Sequence, residues 1–442
     1  MTSFKEMTIM DGNRQGVSRR SAFKQGQSMV QTGHQKNNQL PKGTNPMNSG
    51  TDPFDQVIQI ATDEGRSQAI AFLVDRFRNE KSYFELFEML KIQIRHDLGL
   101  PILHGEQHEK LDEKKNRLLE DRLLEACREV GSALVRQGRL QDGWMYLQPI
   151  GDRQYLRQLF ESVKTNEENT DQLIDICLGQ GIAPELGYRL VLSDHGTCNA
   201  ITVFDSQCVA LPQQERSQLA EMLVHHIYDE LCENVLRHIA ENEAAAPTDG
   251  TLADWIATRD WLFSSGGHHM DVTHLASAVR IGRFSAGPET FQRCHELCQY
   301  GAKLADDFQF ASPPPFENTY LDHRIFYEAL LGKNIEDGVQ HFRNKAFSEP
   351  IETAGTEPVE SYVDLLVRTG KNREALKVAI EYLADAEPLL GIAPRVFEIA
   401  QSGQDYQLLM EHFLAKDDLM GYAICALQSQ SSEGESLLDN QD

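Results

Sequence analysis

The chain has 442 residues, a formal net charge of −25 and 40% hydrophobic residues. That apolar share can fill a sizeable core, as one extended array or as several units of ordinary domain size. So acidic a body is repelled by phosphate backbones, which excludes nucleic acid as its direct partner.

Residues 1–50 differ from the rest. They carry seven Lys/Arg (Lys5, Arg14, Arg19, Arg20, Lys24, Lys36, Lys42) against Glu6 and Asp11, are rich in Gln, Asn, Gly and Ser, and show no hydrophobic period. The pattern predicts a disordered basic tail. Met47, just ahead of the first periodic segment, is a second candidate start. The opening stretch lacks the apolar region of a secretory signal, and no window of about 18–20 residues is continuously apolar. Eight cysteines thinly spread over the chain form no framework of a small secreted domain. A cytoplasmic location away from membranes is the expectation.

Helical periodicity starts at Asp52-Pro53, a capping acid followed by a first-turn proline. Ile58 to Phe77 and Phe84 to Ile94 continue it until Gly99-Leu100-Pro101 breaks the helix. Leu118 to Leu134 is strongly periodic, ends at Gln137-Gly138-Arg139, and is followed by a helix with Trp144, Leu147 and Ile150. Two helices joined by a short turn carrying glycine form an αα-hairpin. The same grammar recurs at Phe326–Ala346 around Gly332, at Ser361–Leu383 around Gly370, and at Val396–Phe413 around Gly403. Ala200–Phe204 is β-branched and short enough for a strand, but lies between long helical patterns and has no strand partner in view, so a helix start is predicted.

The turn Leu365-Leu366-Val367-Arg368-Thr369-Gly370-Lys371-Asn372-Arg373-Glu374-Ala375 resembles that of a tetratricopeptide repeat. Gly131, Leu134, Gly138 and Leu140 fit the same frame, with Gly143 where the family prefers alanine and Leu147 where it prefers a large apolar residue. The spacing between units is irregular rather than a steady repeat. The resemblance implies an all-α fold, an α-solenoid of irregular, tetratricopeptide-like helix pairs with a concave groove for a protein partner. The linkers Glu243–Leu252, Ala311–Pro315 (read as a stiff, extended connection) and Glu349–Pro358 divide the chain. The resulting parts are a tail over 1–50, an N-terminal helical repeat region over 51–245, a central region over 246–348, C-terminal hairpins over 349–428 and a flexible acidic tail over 429–442.

Phosphate loops, Gly-x-Ser-x-Gly elbows, Cys-x-x-Cys pairs and His-Glu-x-x-His helices are missing from the sequence. Histidine is concentrated instead: His225, His226, His238, His268, His269 and His274 fall within fifty residues. In Gly266-Gly267-His268-His269-Met270-Asp271-Val272-Thr273-His274, the glycines free the backbone ahead of a helix. His269, Asp271 and His274 could converge at its start. His225 and His226 stand one turn from Asp229 and Glu230, and His195 sits on a loop within reach if the helices curl. Imidazole and carboxylate are ligands for zinc, iron or manganese, so His269, Asp271, His274, His225, His226 and His195 form the candidate set for a divalent metal, with His323 as a further member. The competing reading is that Asp271 caps a helix and the histidines pair on the surface. Cys294 and Cys298, one helical turn apart, read as buried core. Phe316 and Tyr320 read as anchors of the proline-rich connection, and Glu317 as a groove-lining carboxylate. Two functions follow. The first is a helical-repeat interaction scaffold without catalysis. The second is a metal-binding helical protein, hydrolytic or oxidative, centred on His269, Asp271 and His274.

Overall fold

The structure is a computed structural model that describes residues 52–102, 111–243, 245–384 and 391–438, with side chains of the final helix described to residue 430. The basic tail over 1–50 and residues 439–442 of the acidic tail lie outside the described residues. The chain divides after Gln56 into two units, and the architecture below is that of the second, Val57–Asp442.

The described residues are helical and include no β-strand, only an isolated bridge between Ala311 and Asn318. In chain order come α1 (Pro53–Asp63), α2 (Arg66–Glu80), α3 (Tyr83–Asp97), α4 (Glu113–Arg136) and α5 (Leu140–Leu147). Then follow α6 (Arg153–Glu161), α7 (Thr170–Ile174), α8 (Pro184–Leu190) and α9 (Thr197–Gln207). α7 and α8 run directly into π turns over Asp175–Gly179 and Val191–His195. The long α10 (Gln213–Glu243) leads to α11 (Leu252–Ala257), α12 (Val272–Ile281), α13 (Pro288–Gly301), α14 (Thr319–Leu330) and α15 (Ile335–Ala346). The chain closes with α16 (Ile351–Ala354), α17 (Glu357–Arg368), α18 (Asn372–Tyr382), α19 (Val396–Gly403), α20 (Gln407–Ala415) and α21 (Leu419–Leu438).

Local chemistry explains many boundaries. The Asp52 carboxylate accepts from the Phe54 N–H at 3.0 Å at the start of α1, and Asp112 accepts from the Lys115 N–H at 2.8 Å at the start of α4, each satisfying a donor that has no partner inside its helix. α4 and α5 form the expected hairpin. Their crossing is close because Gly131 and Gly143 face each other: a Cβ on Gly143 would lie 2.8 Å from the Gly131 carbonyl oxygen. Leu134, Leu140 and Leu147 are fully buried around it, each contributing about 1.5–3 kcal/mol relative to exposure. α14 with α15 and α17 with α18 make further packed neighbours in sequence. Ala200–Phe204 lies within α9, so the local β propensity yields to its helical surroundings.

One expectation is corrected. The proline-rich connection is not extended: Ala311 bridges Asn318, and the Phe316 N–H returns to the Pro313 carbonyl at 3.0 Å. It is folded back because Phe316 and Tyr320 are core residues, 2% and 1% exposed, which pull both flanks inward. α21 runs past residue 429 to Leu438.

Three apolar clusters succeed one another along the chain. The first is built from α2 to α5, the second spans Val135 to Leu190, and the largest runs from Leu178 to Cys425. α10 enters the last through Leu219, Leu223, Ile227, Leu231, Val235 and Ile239, all fully buried. The linkers near 245 and 348 do not interrupt this cluster.

Candidate functional site

All of the proposed metal ligands but His274 find a local hydrogen-bond partner. His195 meets Asp171 at 3.0 Å and His226 meets the Thr197 hydroxyl at 3.1 Å. His225 meets the Thr290 hydroxyl at 3.0 Å, while Asp229, the carboxylate expected behind it, pairs with Arg293 at 2.8 Å. Asp271 is the N-cap of α12, accepting from the Thr273 hydroxyl at 2.7 Å and the Thr273 N–H at 2.8 Å. These bonds, the hydroxyl's first, hold its carboxyl below the usual range. His274, half-buried one turn into α12, adds a smaller electrostatic contribution in the same direction. His323 is a core residue on α14 that donates from Nδ1 to the Thr319 carbonyl at 2.6 Å. Among the described residues no group of three or more His, Cys, Asp or Glu side chains is placed to hold a metal ion. For the expected divalent metal on His269, Asp271, His274, His225, His226 and His195, no ligand set is assembled among the described residues, and capping or pairwise hydrogen bonds engage all of these side chains but His274. Glu317 likewise pairs with Lys345 at 2.5 Å.

His269 has a different setting, built with residues from two other helices. Gly266 turns the chain at φ +75°, and a Cβ on Gly267 would lie 2.6 Å from the Leu262 carbonyl oxygen, so the bend needs both glycines. Asn234 on α10 grips the far side, donating to the His269 carbonyl at 2.9 Å. The Tyr300 hydroxyl accepts from the His269 N–H at 2.9 Å and lies 2.7 Å from its Nδ1, while His269 Nε2 lies 2.8 Å from His238 Nδ1. The buried hydroxyl keeps an acceptor only if it donates to Nδ1. His269 then carries its proton on Nε2 and donates to His238, which is protonated on its own Nε2. Burial, with smaller contributions from His238 and His268, pushes the His269 imidazole down to about 4. The chain Tyr300–His269–His238 leads from a buried phenol to a half-buried imidazole flanked by Trp261. His269 stood out in sequence for its two glycines. Asn234 and Tyr300 did not, since neither is near it in the chain.

A separate cavity of about 560 Å³ opens at the N-terminal end of α10. Gln213, Gln214 and Arg216 on that helix, Arg283 on the turn after α12, and Asp364 and Arg368 on α17 contribute to its lining. Arg216 and Arg283 are 8% and 4% exposed. Each guanidinium rests on a phenylalanine ring: Arg216 on Phe284, Arg283 on Phe316 and Arg368 on Phe291, at 5.0, 4.2 and 4.8 Å. Most of their hydrogen bonds go to main chain. Arg216 donates to the carbonyls of Val209 and Gly391, and Arg368 to those of Arg283 and Ser285. Arg368 also donates to Asp364 at 3.2 Å, and Arg283 to Glu357 at 3.2 Å. Arg216 Nε and Arg283 Nη1 are buried without a hydrogen-bond partner. Burial pushes both guanidinium groups down and the Asp364 carboxyl up. The second lining carboxylate, Glu221, accepts from the N–H groups of Ala286 and Gly287 at 3.2 and 3.1 Å. No sequence motif links these arginines.

The last helices present a third feature. Gly421 and Cys425 of α21 face inward, with Gly421 against the Phe413 ring. Met420, Ile424 and Leu427, spaced one and two turns apart, are 74%, 44% and 67% exposed on another face, beside Leu419 at 80%. No helix among the described residues is long and apolar enough to cross a membrane.

No protein-family model, no curated protein and no solved structure matches the chain.

Proposed function

We propose that the chain is a helical-repeat interaction scaffold without catalytic activity, an α-solenoid of irregular, tetratricopeptide-like helix pairs that engages a protein partner. The observation that carries the reading is the outer apolar stripe of α21. A helix with apolar residues on opposite faces belongs between two layers, and among the described residues none covers the outer face at Met420 and Ile424, which are 74% and 44% exposed. Contiguous exposed apolar surface of this kind marks interaction sites. The occupant we assign is an amphipathic helix of a partner protein. The stripe has helical spacing and offers no strand edge to extend, so a helix laid into it reproduces the packing that α21 makes on its inner face.

The test compares the wild-type chain with Met420→Glu/Ile424→Glu, both substitutions being at exposed sites. A protein captured from native lysate by the wild type and lost with the variant, then rebound in purified form at one per chain, supports the reading. Light scattering that shows a wild-type dimer reduced to monomer by the variant would instead make the occupant a second copy. Identical capture by both proteins refutes the assignment of the stripe.

A further inference from the structure

We propose that the arginine-lined cavity at the N-terminal end of α10 binds a small multivalent oxyanion, a molecule bearing phosphate or carboxylate groups. Four independent observations converge. Three guanidinium groups reach the lining against two carboxylates, in a chain whose net charge is −25. The two carboxylates are already engaged, Asp364 by Arg368 and Glu221 by two main-chain N–H groups, which leaves Arg216 without a carboxylate in hydrogen-bond range. Arg216 and Arg283, both more than nine-tenths buried, each keep a buried nitrogen without a partner. A buried charge in that condition is costly unless an opposite charge joins it.

The fourth observation is the helix itself. The first turn of α10, a helix of 31 residues, contributes Gln213 and Gln214 to the same cavity. The unsatisfied N–H groups and the positive dipole end of such a turn favour an anion. A cation at Arg216 in that first turn is placed against the dipole, and an anion bound there reverses the sign of the interaction. The volume of about 560 Å³ suits a small molecule. The net charge of −25 disfavours long polyanions, which carry more charge than the cavity can meet. Phe284, Phe291 and Leu330 supply apolar wall for the rest of the ligand.

The alternative for these arginines is that they only pin the turns whose carbonyls they bind. Two variants separate the readings. Arg216→Met removes the central guanidinium. Gln213→Glu/Gln214→Glu leaves every arginine contact in place, suits the helix dipole and so retains the fold, and adds negative charge at the cavity mouth. Binding of pyrophosphate and of citrate to the full chain is measured by calorimetry, with far-UV circular dichroism confirming each variant's fold. One probe bound per chain is expected, weakened about tenfold or more in Arg216→Met, the usual scale for losing hydrogen bonds to a charged group, and several-fold in the glutamate variant. Pyrophosphate binding alone identifies a phosphate ligand and citrate binding alone a carboxylate ligand. No saturable binding of either probe to the wild type overturns the proposal, as does binding that the glutamate variant leaves unchanged. If Arg216→Met does not fold, the glutamate variant decides.

Discussion

Gly143→Ala is the sharpest test of how α4 and α5 cross. The added methyl would lie 2.7 Å from Val135 Cγ2, 2.8 Å from the Gly131 carbonyl oxygen and 3.0 Å from the Val135 nitrogen. The Val135 methyl can turn aside, but the other two atoms are main chain within α4 and move only if the helices separate. Alanine in place of a helical glycine gains about 1 kcal/mol from propensity. Overpacking a tight contact costs about 1–3 kcal/mol, and main-chain overlap belongs at the upper end. The expected balance is a loss of about 1–2 kcal/mol. Urea unfolding followed by Trp144 emission reads the site directly, since that side chain adjoins Gly143 and meets Phe160 edge-on at 6.1 Å. Far-UV circular dichroism on the same samples shows whether the rest of the chain unfolds with it. A variant midpoint equal to or above wild type would refute the reasoning. It would mean that the two helices stand at the wider separation that tolerates the alanine preferred by tetratricopeptide repeats here.

Acid should weaken the fold through His269. Its folded value of about 4 lies below the unfolded 6.5, so between these two pH values the unfolded chain takes up the proton first and stability falls with pH, by up to about 3 kcal/mol once both values are passed. His269→Gln should flatten that part of the urea midpoint against pH, and an unchanged slope would contradict it. Thiol chemistry should discriminate sharply. Exposed Cys198 should react with an aromatic disulfide reagent in the native protein, whereas Cys294, whose thiol burial pushes up to about 12, should wait for unfolding. Reaction of Cys294 as fast as Cys198, read by mass spectrometry, would contradict its burial.

Helices were legible wherever apolar period and end signals agreed, as over α4, α14, α17 and α18. The failures came where distant packing overrode local composition. Three consecutive prolines, Pro313 to Pro315, suggest extension, yet burial of Phe316 and Tyr320 folds the segment back. The sites were less legible still. The histidine concentration pointed to a common ligand set, but hydroxyl partners such as Thr197 and Thr290 come from separate helices and cannot be paired by spacing. His269 was singled out correctly as an unusual residue, while Tyr300 and His238, 31 positions away on either side, were not paired with it. Arg216, Arg283 and Arg368 lie on three different elements, and an arginine beside a phenylalanine carries no signal until the fold brings the ring beneath it.

α10 has a mechanical consequence. Arg216 stands near its first turn and His238 near its last, so one unbroken helix joins the cavity to the Tyr300–His269–His238 chain over about 33 Å at 1.5 Å per residue. At that span a tilt of about two degrees about the Arg216 end carries the far end through about 1 Å. Asn234 and His238 sit on that same helix and hold the His269 carbonyl and Nε2, so a displacement of that size acts on both contacts together.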